Sequence, residues 1–496
     1  MAANSPAHLA VDIGASSGRV IAGRLDSGKL TLEAAHRFPN GPLRVQDSLQ
    51  WNVLGLWSSI LEGLAKATVA NPKILSVGVD TWGVDYALID GQNSVAGPVR
   101  HYRDARTRGM VERAQEIVPR DEIFQATGLQ FMEINTLYQL LSAKLSDDPA
   151  LQIADSMLMM GDFFHWLLSG NKSVELTNAS TTQLLDPRTK TWSTELIDRF
   201  DLPRHLFGEL VEPGTDLGPV QPSVAVATGL DGVPVIVPPT HDTASAVIAV
   251  PAEGFAPAHP DWCYISSGTW SLMGCEVPQP NTSALCSELN FTNEGGVRGS
   301  TRLLKNIGGL WIFQQIRESI LRRGQQVSWD QMVQQATAAT PFELLLNPDD
   351  ADFIAPADMI DAVCQYAGRT GQSVPTDNAV LYRAALEGLA LRYRTCLSML
   401  ESLVGNRISV VHVVGGGSMN GLLCQMTADA CNRGVIAGPV EATAIGNVLT
   451  QMLGTGQLAS IEEARGVVRA SFETTRYEPQ NPEPWNAAAE RFNELL

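Results

Sequence analysis

The feature that most constrains the fold of this chain is a short pattern that occurs twice. A strand-like run, His8-Leu-Ala-Val-Asp-Ile-Gly14, passes through the small polar turn Ala15-Ser-Ser-Gly18 into a second run, Arg19–Leu25. In the second half, Trp262-Cys-Tyr-Ile-Ser266 passes through Ser267-Gly-Thr269 into Trp270–Cys275. Apolar, β-branched and aromatic runs around a small polar turn read as hairpins. A chain of 496 residues has room for two large α/β domains, each opening on one of them.

The first hairpin is extended by turn chemistry at Asp26-Ser-Gly-Lys29 and a third strand, Leu30–Phe38, giving an antiparallel meander. Leu54, Trp57, Leu61, Leu64 and Ala65 recur at helical spacing, Ile74–Asp80 reads as a buried strand, and the sheet is expected to continue through Val84–Ile89. Residues 105–185 are mostly helical by pattern. Pro251, Gly254, Pro257 and Pro260 interrupt any regular element. The expected division is therefore 1–250, a linker at 251–260, and 261–496. In the second part Arg407–Val414 is a strand running into Gly415-Gly-Gly417, with Ser418 as N-cap of a helix through Cys431. Gly434–Ala437 is a strand and Ala442–Leu453 a helix. Trp485–Leu496 reads either as an amphipathic helix packing on the first domain or as a frayed end.

With 44% hydrophobic and 18% charged residues, the chain is ordinarily globular. Its formal charge of −18, without a basic run, argues against nucleic acid or an anionic membrane as partner. The seven cysteines are scattered and match no zinc spacing, as expected of reduced thiols in a cytoplasmic protein. No signal peptide is apparent, because Asp12 interrupts the early apolar stretch and the first Arg is Arg19.

Several stretches carry chemistry. Asp242 follows Val233–Pro239, a β-branched run closed by two prolines, and precedes the small apolar run Thr243–Val250. A carboxylate at a strand-to-helix corner lies where open α/β sheets place ligands, although it can also simply cap the helix. Asp12–Arg19 admits three readings: a G-x-S-x-G elbow with Ser16 as nucleophile, a plain hairpin, or a phosphate-binding hairpin beside a hydrated Mg²⁺. The elbow needs a helix after the turn, and the pattern there is strand-like. Gly23 to Lys29 mimics a Walker A motif but has Leu30 where a Ser or Thr would hold Mg²⁺, so a hairpin turn is expected. Gly415–Gly417 is either a flat floor for an adenosine or a tight turn. Asp80-Thr-Trp-Gly-Val-Asp85 offers acids and an indole that suit a sugar, or a core Trp with surface neighbours. His101–Arg106 is dense in charge and reads as a solvated face. Asn306 reads as a helix cap, with Gln314 about two turns on.

Asp12–Arg19, Asp80–Asp85, Asn135-Thr-Leu-Tyr-Gln-Leu140, Thr177–Leu184, His241–Ala249, Ser266–Gly274, Thr292-Asn-Glu-Gly-Gly296, Leu304–Ile307, Val414–Gly417 and Ile436–Ala442 together resemble the rhamnulokinases of the FGGY carbohydrate-kinase group. The blocks run in order from about residue 8 to 450. The resemblance implies an α/β fold of two actin-like (ribonuclease H-like) domains around a central catalytic cleft, and transfer of the ATP γ-phosphoryl group to O1 of L-rhamnulose, a step of L-rhamnose catabolism. It implies Asp242 as catalytic base, with Gly83, His241, Thr243 and Asn306 as sugar contacts. Ala15, Ser16, Ser17, Gly18, Arg19, Thr269, Gln314 and Gly416 are the implied ATP contacts, with Asp12 reaching Mg²⁺ through water. Phe131-Met-Glu-Ile134 departs from the family's more apolar wording. Another ketose, L-fuculose or xylulose, is the near alternative and an actin-like ATPase the distant one. The expected state is a monomer or small homo-oligomer.

Overall fold

A computed structural model describes residues 5–496. They divide into two compact units. The first comprises the chain to Ala258 together with Glu276–Leu303 and Ala442–Phe472; the second comprises His259–Cys275, Leu304–Glu441 and Glu473–Leu496. The compact units therefore cut the chain differently from the linear division at 251–260. Segments 276–303 and 442–472 join the first unit because their polar side chains find buried partners there: Arg465 pairs with Glu276 and donates to Val247 O.

The central sheet of the first unit has the order Asp216–Pro219, Pro234–Ile236, Ile74–Thr81, Ala7–Ile13, Ser17–Asp26, Lys29–Pro39. The last three strands form the expected meander, His8 facing Gly23 and Leu25 facing Leu30. Ser27 and Gly28, at φ 51° and 77°, make its tight turn, so the Walker-like glycine and lysine belong to a hairpin. Ala7–Ile13, Ile74–Thr81 and Pro234–Ile236 are mutually parallel, and every residue of the first is buried. Val84–Ile89 does not continue this sheet. Tyr86–Asp90 pairs with Ala154–Met159 in a separate ribbon, because the chain turns away at Val84, a β-branched residue at φ 66°.

The Val53–Ala70 helix packs on the meander through a different face from the expected one: Val53, Leu56, Ile60, Gly63, Leu64 and Ala67 are buried, while Leu54 is 74% exposed. Small residues decide the face, since a Cβ on Gly63 would lie 2.4 Å from Val20 Cγ2. Its 18 residues are long and apolar enough to cross a membrane by length and composition, and here that length lies along the sheet.

In the second unit, Trp262–Ser267 pairs antiparallel with Trp270–Val277 and parallel with Val410–Val414, which pairs with Gly434–Ala437 and then Thr475–Tyr477. The same topological opening thus recurs, a hairpin with a parallel strand beside its first member. The 27-residue helix Asn378–Val404 packs on the Gly421–Cys431 helix. Asn420, not Ser418, caps the latter, its side chain accepting from Leu423 N; Ser418 lies inside a preceding 3₁₀ turn. The tail forms a helix, Glu483–Asn493, which buries Trp485 against Phe342 of this unit rather than on the first. All seven cysteines are free.

Candidate active site

In the first unit, three adjacent parallel strands bring carboxylates to one edge. Asp12 and Asp80 are direct cross-strand partners, Val235 pairs with Val77, and beyond that strand Thr81 bridges to His241. Thr81 N donates to Thr240 O at 2.8 Å, which places Asp242 just past the third strand. Ligands of open α/β sheets collect at this C-terminal edge. The physical cause is simple: parallel strands end together, and the turns that follow are the only backbone free of ladder bonds.

Asp242 is the first residue of the Asp242–Ile248 helix, and the cap position belongs to His241. Its Oδ1 accepts from Thr243 N at 2.6 Å, and its side chain is 30% exposed. Asp12 and Asp80, by contrast, are 2% and 0% exposed, so Asp242 is the carboxylate of this edge open to a ligand. Burial raises the Asp242 pKa, with the neighbouring His241 and the Thr243 N–H pulling it back.

Asp12 accepts from Arg19 Nε and Nη2 at 2.9 and 2.8 Å. Asp80 accepts from Asn447 Nδ2 at 2.6 Å, and its Oδ1 is buried with no hydrogen-bond partner. Burial, then the Asp12 charge, holds the Asp80 carboxyl well above its usual range. Two side-by-side carboxylates with one orphaned oxygen suit a hydrated Mg²⁺, which retains several waters. Among the described residues there is no group of three or more His, Cys, Asp or Glu that could hold a metal ion.

The turn after Ile13 leaves Ser16 and Ser17 exposed. Gly14 N donates to Ser17 O within the hairpin, and Asn40 Nδ2, just past the Lys29–Pro39 strand, donates to Gly14 O. A strand follows the turn, so the hydrolase elbow lacks its helix. Gly18 is a glycine for packing: a Cβ there would sit 2.2 Å from the Phe38 ring.

The Asp80–Asp85 stretch is more structural than its sequence suggests. Asp85 accepts from Trp51 Nε1 (2.6 Å), Trp82 Nε1 (3.0 Å), Gln139 Nε2 (2.9 Å) and Tyr102 N (3.2 Å), so both its oxygens are engaged. Trp51 lies over Trp82 at 4.0 Å and over His101 at 4.2 Å. His101, Tyr102 and Asp104 are buried, which overturns the solvated-face reading of 101–106: the charges there close inward bonds, as Asp104 Oδ2 does with Leu49 N at 2.6 Å. Gly83 itself leaves a slot, since a Cβ would lie 3.1 Å from Thr181 Cγ2 and 3.4 Å from His241 Nε2.

Two residue pairs escaped the sequence reading. Glu175, fully buried, accepts from Thr240 N (2.8 Å) and Thr240 Oγ1 (2.9 Å), anchoring the turn that carries Asp242. Glu294 and Arg302 flank His241. Their only early signal was the Thr292-Asn-Glu-Gly-Gly296 block, which carried no assigned chemistry.

The second unit holds its own constellation. Thr269 Oγ1 donates to Gln314 Oε1 at 3.2 Å, so two of the expected nucleotide contacts meet. Leu310 N donates to Gly268 O, and a Cβ on Gly309 would lie 2.4 Å from the Trp270 carbonyl carbon. The three glycines have separate tasks. Gly415 adopts φ 82°, a Cβ on Gly417 would lie 1.9 Å from Ser267 Oγ, and Gly416 is exposed with nothing near its missing Cβ. Asn306 caps no helix: it lies on the Thr301–Gly308 strand, and the next helix starts at Trp311.

The two domains of the FGGY family of carbohydrate kinases match residues 7–249 (N-terminal domain) and 263–455 (C-terminal domain). A protein of Bacteroides thetaiotaomicron named rhamnulokinase is 41% identical over 488 residues, covering 98% of this chain and 99% of its own. The rhamnulokinase of Bacillus subtilis is 36% identical over 474 residues, 96% of each chain. Among solved structures, a ligand-bound xylulose kinase from Lactobacillus acidophilus superposes with a TM-score of 0.80 at 15% identity, over 99% of this chain and 97% of its own. Plasmodium falciparum glycerol kinase with ADP gives 0.77 at 14%, over 99% and 98%. With both domain models matched and a relative 41% identical over nearly its whole length, the chain belongs to the FGGY family of carbohydrate kinases.

Proposed function

We infer that this protein transfers the γ-phosphoryl group of ATP to O1 of L-rhamnulose, giving L-rhamnulose 1-phosphate. The observation that carries the mechanism is the position of Asp242, a partly open carboxylate beside His241 Nε2 and the slot at Gly83. Phosphoryl transfer needs positioning, charge neutralisation and one group to take the hydroxyl proton. Asp242 takes it, its raised pKa making it a better base than a surface carboxylate. The ketose preference is supported by the named relatives, which share over a third of their residues with this chain along almost all its length.

His241, Thr243, Gly83 and Asn306 orient the sugar. Ala15–Arg19 offer hydroxyls, N–H groups and the Arg19 guanidinium to phosphate oxygens, and Thr269, Gln314 and Gly416 serve the nucleotide. Asp12 and Asp80 would hold Mg²⁺ through its waters, and the bound ion supplies neutralisation of phosphate charge.

A coupled assay of ADP release over L-rhamnulose, L-fuculose and D-xylulose tests the reading. L-Rhamnulose should give the highest kcat/KM, and Asp242→Asn should abolish turnover while sugar binding persists. Higher turnover on another ketose would replace the substrate assignment, and retained turnover in Asp242→Asn would remove Asp242 from its role.

A further inference from the structure

We propose that Arg302, balanced by Glu294, is a positioning residue that holds His241 as a single tautomer with its ring proton on Nε2. In this state His241 is a hydrogen-bond donor to the sugar, and Asp242 is the only base. The proposal rests on the assignment of Asp242 and His241 given above.

The geometry is a closed triangle behind the imidazole. His241 Nδ1 lies 3.2 Å from Arg302 Nη2 and 3.2 Å from Glu294 Oε2, and those two atoms are 3.1 Å apart. A guanidinium has donors and no acceptor and stays charged in any accessible pH range. Of the two atoms 3.2 Å from Nδ1, the guanidinium nitrogen is the one that hydrogen-bonds the ring, and since that bond can only run from Arg302, Nδ1 presents its lone pair. A neutral imidazole then carries its proton on Nε2. That atom faces the site, 3.5 Å from Asp242 Oδ1 and 3.4 Å from where a Cβ of Gly83 would stand.

The clamp is rigid because it is buried and doubly tied. The Arg302 and Glu294 side chains are 1% and 5% exposed, and Arg302 Nε donates to Gly295 O at 2.8 Å. A lone buried guanidinium would be strongly unfavourable, and Glu294 supplies its counter-charge. This also accounts for the segment Glu276–Leu303 packing with the first unit: it delivers both residues behind the Asp242 turn.

The chemistry follows from where the proton sits. A base at position 241 would need a lone pair on Nε2, and that atom carries the hydrogen instead. The O1 proton goes to Asp242, the O1–Pγ bond forms, and the bond from Pγ to the β,γ-bridging oxygen breaks with its electrons leaving on ADP. Throughout, the His241 N–H holds a sugar oxygen.

The test is ring ¹⁵N NMR of the whole protein labelled in histidine, with the His241 signals assigned by their loss in His241→Gln. The expected pattern for His241 is a pyridine-type Nδ1 and a pyrrole-type Nε2. A pyrrole-type Nδ1, or a doubly protonated ring at pH 8, overturns the proposal. Arg302→Met should abolish the pattern and raise the ketose KM about tenfold, with a smaller loss in kcat. Unchanged tautomer and KM in that variant also overturn it. If Arg302→Met does not fold, Arg302→Met with Glu294→Gln removes both charges together and carries the same expectation, while the wild-type spectrum decides by itself. Asp242→Asn should lose kcat and keep the His241 pattern, so failure of the base assignment and failure of the clamp are separately visible.

Discussion

Gly446→Ala tests how closely the helix bearing Asp242 is held. Gly446 lies in the Ala442–Gly454 helix, which packs on Asp242–Ile248. A Cβ at 446 would stand 1.8 Å from Ser245 O, 2.5 Å from its carbonyl carbon and 3.1 Å from its Cα. These are backbone atoms, so no rotamer change relieves the clash. Restoring ordinary contact from 3.4 Å requires the helices to part by about 1.6 Å. Overpacking of this kind costs about 1–3 kcal/mol. The substitution also gains about 1 kcal/mol of helix propensity, so the net effect on stability is a loss of about 2 kcal/mol at the upper end of that range. Activity should fall further than stability. A displacement on the order of 1 Å at a reacting group can cost about a hundredfold in rate, and Asp242 sits three residues before the clashing carbonyl. Urea denaturation gives the first number and saturating ADP-release kinetics the second. A variant as stable as wild type with unchanged kcat would refute the claim that this contact sets the position of Asp242.

Two further outcomes are expected. Burial pushes the Asp85 carboxyl up to about 6 from its usual 3.8, so its stabilising contribution is present below 3.8 and lost as pH rises through 6. The difference in unfolding free energy between Asp85→Asn and wild type should therefore move by about 2 kcal/mol in favour of the variant between pH 4 and pH 7, read from denaturant titrations at each pH; a constant difference counts against it. Glu175→Gln puts an NH₂ group in place of one carboxylate oxygen, either the one accepting from Thr177 N or the one accepting from Thr177 Oγ1, Asn178 N, Thr240 N and Thr240 Oγ1, and should cost on the order of 3 kcal/mol with a matching fall in kcat. Equal midpoints in denaturant would show that the anchor is dispensable.

The sequence was most legible where the determinants are local. The 26–29 turn, the strands on either side and the corner at Thr240–Asp242 follow from turn chemistry and apolar periodicity within a dozen residues. It misled where a local rule had a distant competitor. The charges of His101–Arg106 read as solvated because charge density usually means water, but Trp51 and Leu49 supply partners from some fifty residues away. Asn306 read as a cap from its own neighbourhood, while the strand it belongs to continues through Gly308.

By itself, then, the sequence determined that two hairpin-led α/β units exist and that a carboxylate stands at the corner of the first. Tertiary structure alone decided which of its acids serve what end. Asp80, Asp85 and Asp242 look alike in the sequence, yet Asn447 claims the first, two indoles and Gln139 the second, and only the third is left partly open. The reason is physical: a carboxylate's role depends on which donors reach it and which leave it free, and donors such as Trp51, Gln139 and Asn447 come from stretches that only the folded chain brings to these carboxylates.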